Sequence, residues 1–533
     1  MTARAATSTK RKKPTKSRAK KRGLARVARK TTELPDGKVA VFKTPPASRM
    51  READKDVKGT YSTICAILSQ PTTFRLFDHV SREPSQYGGC PRIWPNELHS
   101  ALFALQHVYP ELRKSIRELT DDPNRLDLLL ESVAANITDA DALDKFLSAI
   151  KASGFPARST VARFRREHED HERMNEHLIR TGVDLAVARG HFDPKSIRDT
   201  ANPQWSNMVY SDGSVLKPPS DETFDTAVHP DTGEVWYPKI DVGSRSHKQN
   251  SESEPIVNGT KVTALLTRSQ GYLGEIFLGM CSTDAPDPAT EAHDAIQLAD
   301  LARTYLQGKV PEASIQAMAH DGAATGKHHE RLVARGTLLI NLPPAKAVHN
   351  DPETGKKVRH QEYFGGLGVW RHKLEHCPGH QLTGIAGDIH LQEIVDGEIA
   401  YRKLEHRPSC KIAKGKAYWY ELVKVPCAIG RRGGQSAPSE DSAIRIPWHQ
   451  AKDESDEAYH SRLRYSRAWG PSSPNGKYLR GVRQSVENRF AMIDRAFPFK
   501  RIPAYDKDTK LSLMFGYAIG HNLAMAGHER AGP

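Results

Sequence analysis

Three acidic residues stand out by type and setting: Asp212, Asp321 and Glu487. Asp212 follows the apolar run Met208-Val209-Tyr210, and Asp321 follows the apolar residues 315–319; each immediately precedes a glycine. Carboxylates at the carboxyl ends of neighbouring strands in an open α/β sheet can share one cation. Asp-Gly is also a common turn signal, so neither pair is diagnostic alone. Glu487 lies in a segment, about 477–497, whose Val482, Val486, Phe490, Ile493 and Phe497 recur on one helical face. Arg480, Arg483, Glu487 and Asp494 fall on the adjacent stripe. An Arg483–Glu487 helix pair by itself is a surface contact of about 0.3–0.5 kcal/mol. That pairing does not explain why a carboxylate borders the buried seam. Hard oxygen ligands of this kind suit Mg²⁺ or Mn²⁺.

The elements that must position these residues are legible in outline. From about 61 to 192 the sequence is helical, with Leu98, Leu102, Leu105, Val108 and Leu112 at helical spacing. A second helix covers about 141–152. After Gly154-Phe155-Pro156, Ser159 can cap an Arg-rich helix carrying Arg163 and Arg166. Helix, short turn and basic helix suit a DNA-binding helix-turn-helix, or an ordinary hairpin with a solvated basic face. From about 207 the texture changes to strands. Segments 261–267 and 274–280 form a hairpin, a helix runs from Pro288 to about Gln307, and strands 315–319 and 338–340 follow. Residues 345–470 are rich in His, Gly and Pro, and read as an inserted β-rich module with one clear strand at 417–425. An apolar helix at 511–523 is placed to close over the sheet. The segments are therefore 1–58, basic disordered tail and linker; 59–200, helical DNA-binding domain; 201–344 and 471–533, the two parts of an α/β domain; and 345–470, the insertion.

Charge is concentrated at one end. The chain of 533 residues carries a net charge of +14. Residues 1–30 hold 13 Lys or Arg and no Asp or Glu, so the body is close to neutral. Such an arm cannot bury a core; it serves as a phosphate-binding tail, or as a solubilising one. No apolar stretch is long enough for a membrane span, and no signal-peptide pattern opens the sequence. The 6 cysteines are dispersed, which suits reduced thiols in a cytoplasm. His372, His376, Cys377 and His380 cluster, with His390 and Cys410 further on, but match no standard zinc spacing.

The order strand-Asp212, hairpin, helix, strand-Asp321, insertion, helix-Glu487 resembles the DDE transposases of bacterial insertion sequences. The local text agrees: "VYSDGS", "AMAHDGAATGKHHERL" and "RGVRQSVENRF". Arg483 and Glu487 are similar to part of a Tyr-Arg-Glu-Lys signature of one such group, with Arg480 in the place of tyrosine and Asp494 in the place of lysine. The resemblance covers about residues 205–525. It implies a multidomain α/β protein: an RNase H-like mixed sheet with flanking helices, interrupted by the β-rich insertion and preceded by the helical domain and basic tail.

The resemblance implies that Asp212, Asp321 and Glu487 hold two Mg²⁺ or Mn²⁺ ions for phosphoryl transfer. With water as nucleophile a DNA strand is cut; with a freed 3′-hydroxyl it is joined to a target. Lys327, His328 and His329 follow Asp321 and are candidates for phosphate contact, as are Arg480, Arg483, Arg163 and Arg166. The implied partners are element ends, target DNA and a second copy of the chain in the working complex. The implied place is the bacterial cytoplasm, at the nucleoid. Two other readings use the same residues: an RNase H-like nuclease that does not join strands, and a catalytically silent DNA-binding derivative.

Overall fold

The computed structural model describes residues 57–81, 93–219, 244–248, 256–268, 274–283, 288–321, 326–343, 364–372, 379–413, 416–426, 443–481 and 501–530. It also describes short strands at 29–33, 39–43, 227–228, 235–236, 349–350 and 357–358, and single positions including 324, 377, 483, 487, 489, 490, 493 and 497. His376, Val482, Val486 and Asp494, named above, lie outside the described residues, as does most of the basic arm.

The chain divides into two units, one formed by 1–58 with 222–238, the other by 59–221 with 239–533. In the first, β1 (Arg29–Glu33) pairs antiparallel with β2 (Val39–Lys43). Part of the stretch read as tail and linker is therefore a hairpin, for which Val39, Val41 and Phe42 supply the β-formers.

The second unit begins in the first turn of helix α1 (Val57–Leu68) and continues through α2 (Asn96–Ala104), α3 (Leu112–Thr120), α4 (Pro123–Asn136), α5 (Ala140–Ser153), α6 (Arg158–His168) and α7 (His171–Ala188). Asp122, Asp139 and Asp170 cap α4, α5 and α7 by accepting backbone N–H groups. The apolar spacing across 98–112 is not one helix. It breaks after a 3-10 turn at Leu105–His107, before Pro110, which cannot donate and biases Tyr109 away from helix. Ser159 is not a cap either: α6 starts from Ala157, with no side-chain cap bond.

The sheet follows. Strand β3 (Met208–Leu216) lies at its centre. In unit 1, β4 (Ala227–Val228) pairs with β5 (Val235–Trp236). Back in unit 2, β6 (Arg245–Lys248) and β7 (Ile256–Arg268) are antiparallel, β7 runs antiparallel to β3, and β8 (Glu275–Ser282) antiparallel to β7. Helix α8 (Pro288–Lys309) then returns the chain to β9 (Ala317–Ala319), parallel to β3. Helix α9 (Gly326–Ala334) leads to β10 (Leu338–Ile340), parallel to β9. Reading across, the six-stranded sheet runs β10-β9-β3-β7-β6, with β8 also paired to β7, so an antiparallel half and a parallel half are joined at β3. Ala295, Ile296, Ala299 and Ala302 of α8 are buried against Val209, Leu265 and Met318 of the sheet.

The insertion is richer in strands than its composition suggests. After the short pair β11 (His349–Asn350) and β12 (Lys357–Val358), an antiparallel meander runs through β13 (Phe364–Trp370), β14 (His380–Ile385), β15 (Asp388–Val395) and β16 (Glu398–Lys403). A three-stranded sheet follows, β17 (Glu405–Ala413), β18 (Lys416–Lys424) and β19 (Ile444–Pro447). Leu367, Leu382, Ile389, Val423 and Ile444 from the two sheets share one core. Helix α10 (Asp456–Tyr465) packs on β13 and α9, and α11 (Pro474–Gly481) leads back to the acidic residues.

The last helix, α12 (Lys507–Arg530), does close over the structure. Asn522 Nδ2 donates to Phe277 O at 2.8 Å, while Phe277 N donates to Asn522 Oδ1 at 3.0 Å. A Cβ on Gly520 would run into the carbonyl of Ala104, so α2 and α12 meet backbone to backbone. The helical segment, sheet and insertion are thus parts of a single unit. Among the described residues, no helix is long and apolar enough to cross a membrane.

Candidate active site

Asp212 sits inside β3, opposite Ala264 of β7, and not past the strand's end as its Asp-Gly setting suggests. The strand continues to Leu216 because the 13-residue β7 supplies a partner as far as Thr260. What ends at this level is the parallel ladder. Met208 pairs with Ala317 and Tyr210 with Ala319, and two residues beyond the last pair stand Asp212 and Asp321. Equal offsets along adjacent parallel strands bring the two carboxylates to the same height.

Their surroundings are unequal. Asp212 Oδ1 accepts from Gly213 N at 3.0 Å. Burial pushes its carboxyl up to about 6; Arg483 pulls it down, and the charges of Glu291 and Asp321 push it up. Asp321 Oδ1 meets Nδ1 of the buried His320 at 2.9 Å. Asn341 Nδ2 donates to the backbone carbonyls of Asp321 and Ala324 at 2.9 and 3.0 Å.

Glu291 is the acid that spacing did not single out. It lies in the first turn of α8, is 5% exposed, and forms an ion pair with Lys261 of β7. A Cβ on Gly213 would lie 2.6 Å from its carboxylate, so glycine beside Asp212 leaves the room in which Glu291 and Lys261 sit. An acid in a helix's first turn reads as an ordinary dipole partner, so sequence alone carried no signal for it.

Glu487 is helical and exposed, and pairs with Arg483 at 3.2 Å. The described part of the seam is buried as its spacing predicts, with Phe490, Ile493 and Phe497 at 7%, 1% and 3% exposure. The anchor that spacing missed is Arg489, which is buried and ion-paired with Glu275 of β8. Arg483 is shared: it pairs with Glu487 and its charge acts on Asp212. Asp212, Asp321, Glu291 and Arg483 thus form one electrostatic neighbourhood, to which Glu487 is tied through Arg483.

The basic candidates separate by exposure. Lys327, Arg163 and Arg166 are exposed. His328 is buried, and His329 is fully buried, with Nδ1 3.2 Å from Leu463 O and its ring 4.9 Å from Trp448. Burial lowers the His329 pKa to about 3, so the ring is neutral and packed, and offers no charge to a phosphate. Arg480 donates to the carbonyl of Pro471 at 2.7 Å, which makes it an anchor of its own helix. Trp419 and Trp448 of the insertion are 1% and 2% exposed, bonded to Gly336 O and Glu421 Oε2, and present no stacking face to a strand.

The His/Cys cluster partly assembles: Cys377 Sγ is 3.4 Å from His380 Nε2, and the His372 and His380 rings are 5.1 Å apart. Among the described residues, no three His, Cys, Asp or Glu side chains are arranged to hold a metal ion. The donors at the end of the parallel ladder nevertheless suit a divalent cation. They are oxygen-only, and burial and then the charges of two other carboxylates raise Asp212, a repulsion that a cation relieves. No family model matches the chain, and no curated protein matches it.

Proposed function

We propose that the chain is a DDE-type transposase, which cuts DNA and joins the freed 3′-hydroxyl to target DNA. The observation that carries the reading is the level placement of Asp212 and Asp321 at the end of the ladder between adjacent parallel strands, where burial first, and then the charges of Glu291 and Asp321, raise Asp212 to about 6. The strand order supports it: an RNase H-like sheet has a central first strand, an antiparallel hairpin on one side and parallel strands on the other. A helix bearing Glu487 after an insertion supports it as well.

Asp212, Asp321 and Glu487 would hold Mg²⁺ or Mn²⁺, and such a pair supplies activation of the attacking oxygen and stabilisation of the leaving one. The chain's own residues do the rest. His320 orients the Asp321 carboxylate through the 2.9 Å contact. Glu291, held by Lys261, keeps the field at Asp212 negative and so favours a cation. Arg483 is the cation best placed to exchange Glu487 for a DNA phosphate, which frees Glu487 to turn toward the two aspartates. Lys327, Arg163 and Arg166 offer exposed charge to the DNA backbone, and the 13 basic residues of 1–30 add sequence-independent attraction.

The test is strand joining. Labelled duplexes carrying the inverted repeats that flank the gene, each with a 3′-hydroxyl, are incubated with supercoiled plasmid and Mg²⁺. Labelled plasmid is the expected product. Nicked DNA without joining identifies a nuclease, and binding with neither product identifies a silent derivative.

A further inference from the structure

The inserted sheets reach the acidic face through a buried polar relay. Beyond the end of β9, Asp321 and Ala324 are held at their carbonyls by one side-chain amide, that of Asn341, which is 4% exposed. The other end of that amide is also engaged: Asn341 Oδ1 accepts from Arg467 Nε at 2.6 Å. Both hydrogens and the oxygen of Asn341 are therefore committed, which fixes the orientation of its side chain.

Arg467 belongs to the insertion side. It is 1% exposed, and its Nη1 donates to the carbonyls of Leu463, Arg464 and Ser466 at 2.9, 3.2 and 2.7 Å. Leu463 and Arg464 lie in the last turn of α10, where carbonyls lack partners within the helix, so the guanidinium closes that helix. Its backbone N donates to Gly387 O at 2.9 Å, and Ser466 forms a parallel bridge with Gly387. The turn at Gly387 is itself pinned. Asp388 accepts from Lys403 Nζ at 3.1 Å and from Ser472 N at 3.5 Å, and stands 3.9 Å from His406 Nε2. His406 Nδ1 in turn donates to the buried Glu421 at 2.7 Å.

We propose that Asn341 and Arg467 are positioning residues, through which the β-rich insertion fixes the backbone that carries Asp321. The insertion then does more than separate Asp321 from Glu487 in sequence: it braces one side of the acidic face. The catalytic consequence rests on the transposase reading; the mechanical one does not. An amide that bonds Asp321 O and Ala324 O would be enough for a local turn. The side chain of Arg467, a buried cation, joins the carbonyls of Leu463, Arg464 and Ser466 to Asn341 while its backbone N holds Gly387 O, so the Asp321 and Ala324 carbonyls depend on a residue more than a hundred positions later in the chain.

The experiment measures hydrogen exchange in the full chain without DNA or metal, in peptides covering 317–326 and 380–395. Asn341→Asp keeps an acceptor for Arg467 but cannot donate to Asp321 and Ala324. Arg467→Lys keeps the charge but loses the fork that reaches Asn341 and the α10 carbonyls together. Both should speed exchange at 317–326 by ten-fold or more. Asn341→Asp should leave 380–395 as in the wild type, which separates the link from general loosening. Wild-type exchange at 317–326 in Arg467→Lys overturns the proposal, whatever Asn341→Asp does, because the insertion would then brace nothing. If Arg467→Lys does not fold, Arg467→Gln takes its place under the same criterion. In a parallel DNA-cutting assay, both variants should lose ten-fold or more in rate at saturating DNA, with DNA affinity unchanged. Failure of the wild type to cut refutes the transposase reading and leaves the exchange result to decide the brace.

Discussion

Replacing Asp212 by asparagine should stabilise the metal-free protein at alkaline pH. The Asp212 carboxyl titrates at about 6 in the fold, against an ordinary 3.8. A carboxyl raised on folding binds its proton more tightly in the native than in the unfolded chain. Its contribution to stability is fully present below the unfolded value and is lost as pH climbs from 3.8 to about 6. Above that window both states are ionised, and the charged group costs the fold about 3 kcal/mol at roughly 1.4 kcal/mol per unit. Screening at its partly open edge reduces this to about 2 kcal/mol. The asparagine side chain keeps an acceptor for Gly213 N and carries no charge, so the cost disappears. Thermal unfolding in chelator should therefore show Asp212→Asn melting a few degrees above wild type at pH 8, the gap closing toward pH 4. Adding Mg²⁺ at about ten times its dissociation constant should raise the wild type by roughly 1.4 kcal/mol and leave the variant unmoved. A variant less stable than wild type at pH 8, or a gap that does not change with pH, refutes the argument that repulsion and burial dominate at Asp212.

Three further outcomes follow from separate parts of the molecule. Deleting residues 1–30 should weaken binding to all DNA sequences alike and flatten the dependence of log K on log salt; an unchanged slope in a titration series removes the arm from the DNA. Arg163→Ala and Arg166→Ala should each weaken binding to the element ends more than binding to random duplex, with folding unaffected since both side chains are exposed; equal losses in a competition assay make α6 a general phosphate contact. Arg489→Met, which strands the buried Glu275 without its ion-pair partner, should destabilise the protein by about 3 kcal/mol in chemical denaturation, and a loss under about 1 kcal/mol contradicts its role as the anchor of the Glu487 helix.

How far the site could be read in advance depended on whether its signals were local. Strands β3 and β9 announce themselves by apolar runs, and the Asp-Gly after each run, inside β3 and beyond β9, marks the level where the parallel ladder stops. The seam through Phe490, Ile493 and Phe497 is a period-3.6 pattern and is buried accordingly. Glu291 and Arg489 were illegible for the opposite reason. Their importance comes from partners distant in the chain, Lys261 with Asp212 and Glu275, and no spacing encodes those contacts. The paired histidines after Asp321 misled because charge type suggested phosphate, while the turn of α9 directs His329 inward against Trp448. In the insertion, strand β13 carries Gly365, Gly366 and Gly368, which dilute any alternation. The closeness of Gly365 to the Tyr465 ring, where a Cβ would collide, explains why glycine is used there. The Arg467–Asn341 relay was invisible because both residues look like ordinary surface polar groups until the fold buries them.

The account rests on Asp212 and Asp321 acting together on phosphodiester bonds, and the most direct measurement is cleavage of a labelled element end by wild type, Asp212→Asn, Asp321→Asn and Glu487→Gln in Mg²⁺, beside DNA binding in chelator. The account predicts that all four bind the end with similar affinity and that only the wild type cuts it. Normal cutting by Asp212→Asn or Asp321→Asn would contradict it outright, and normal cutting by Glu487→Gln alone would take the third carboxylate away from Glu487.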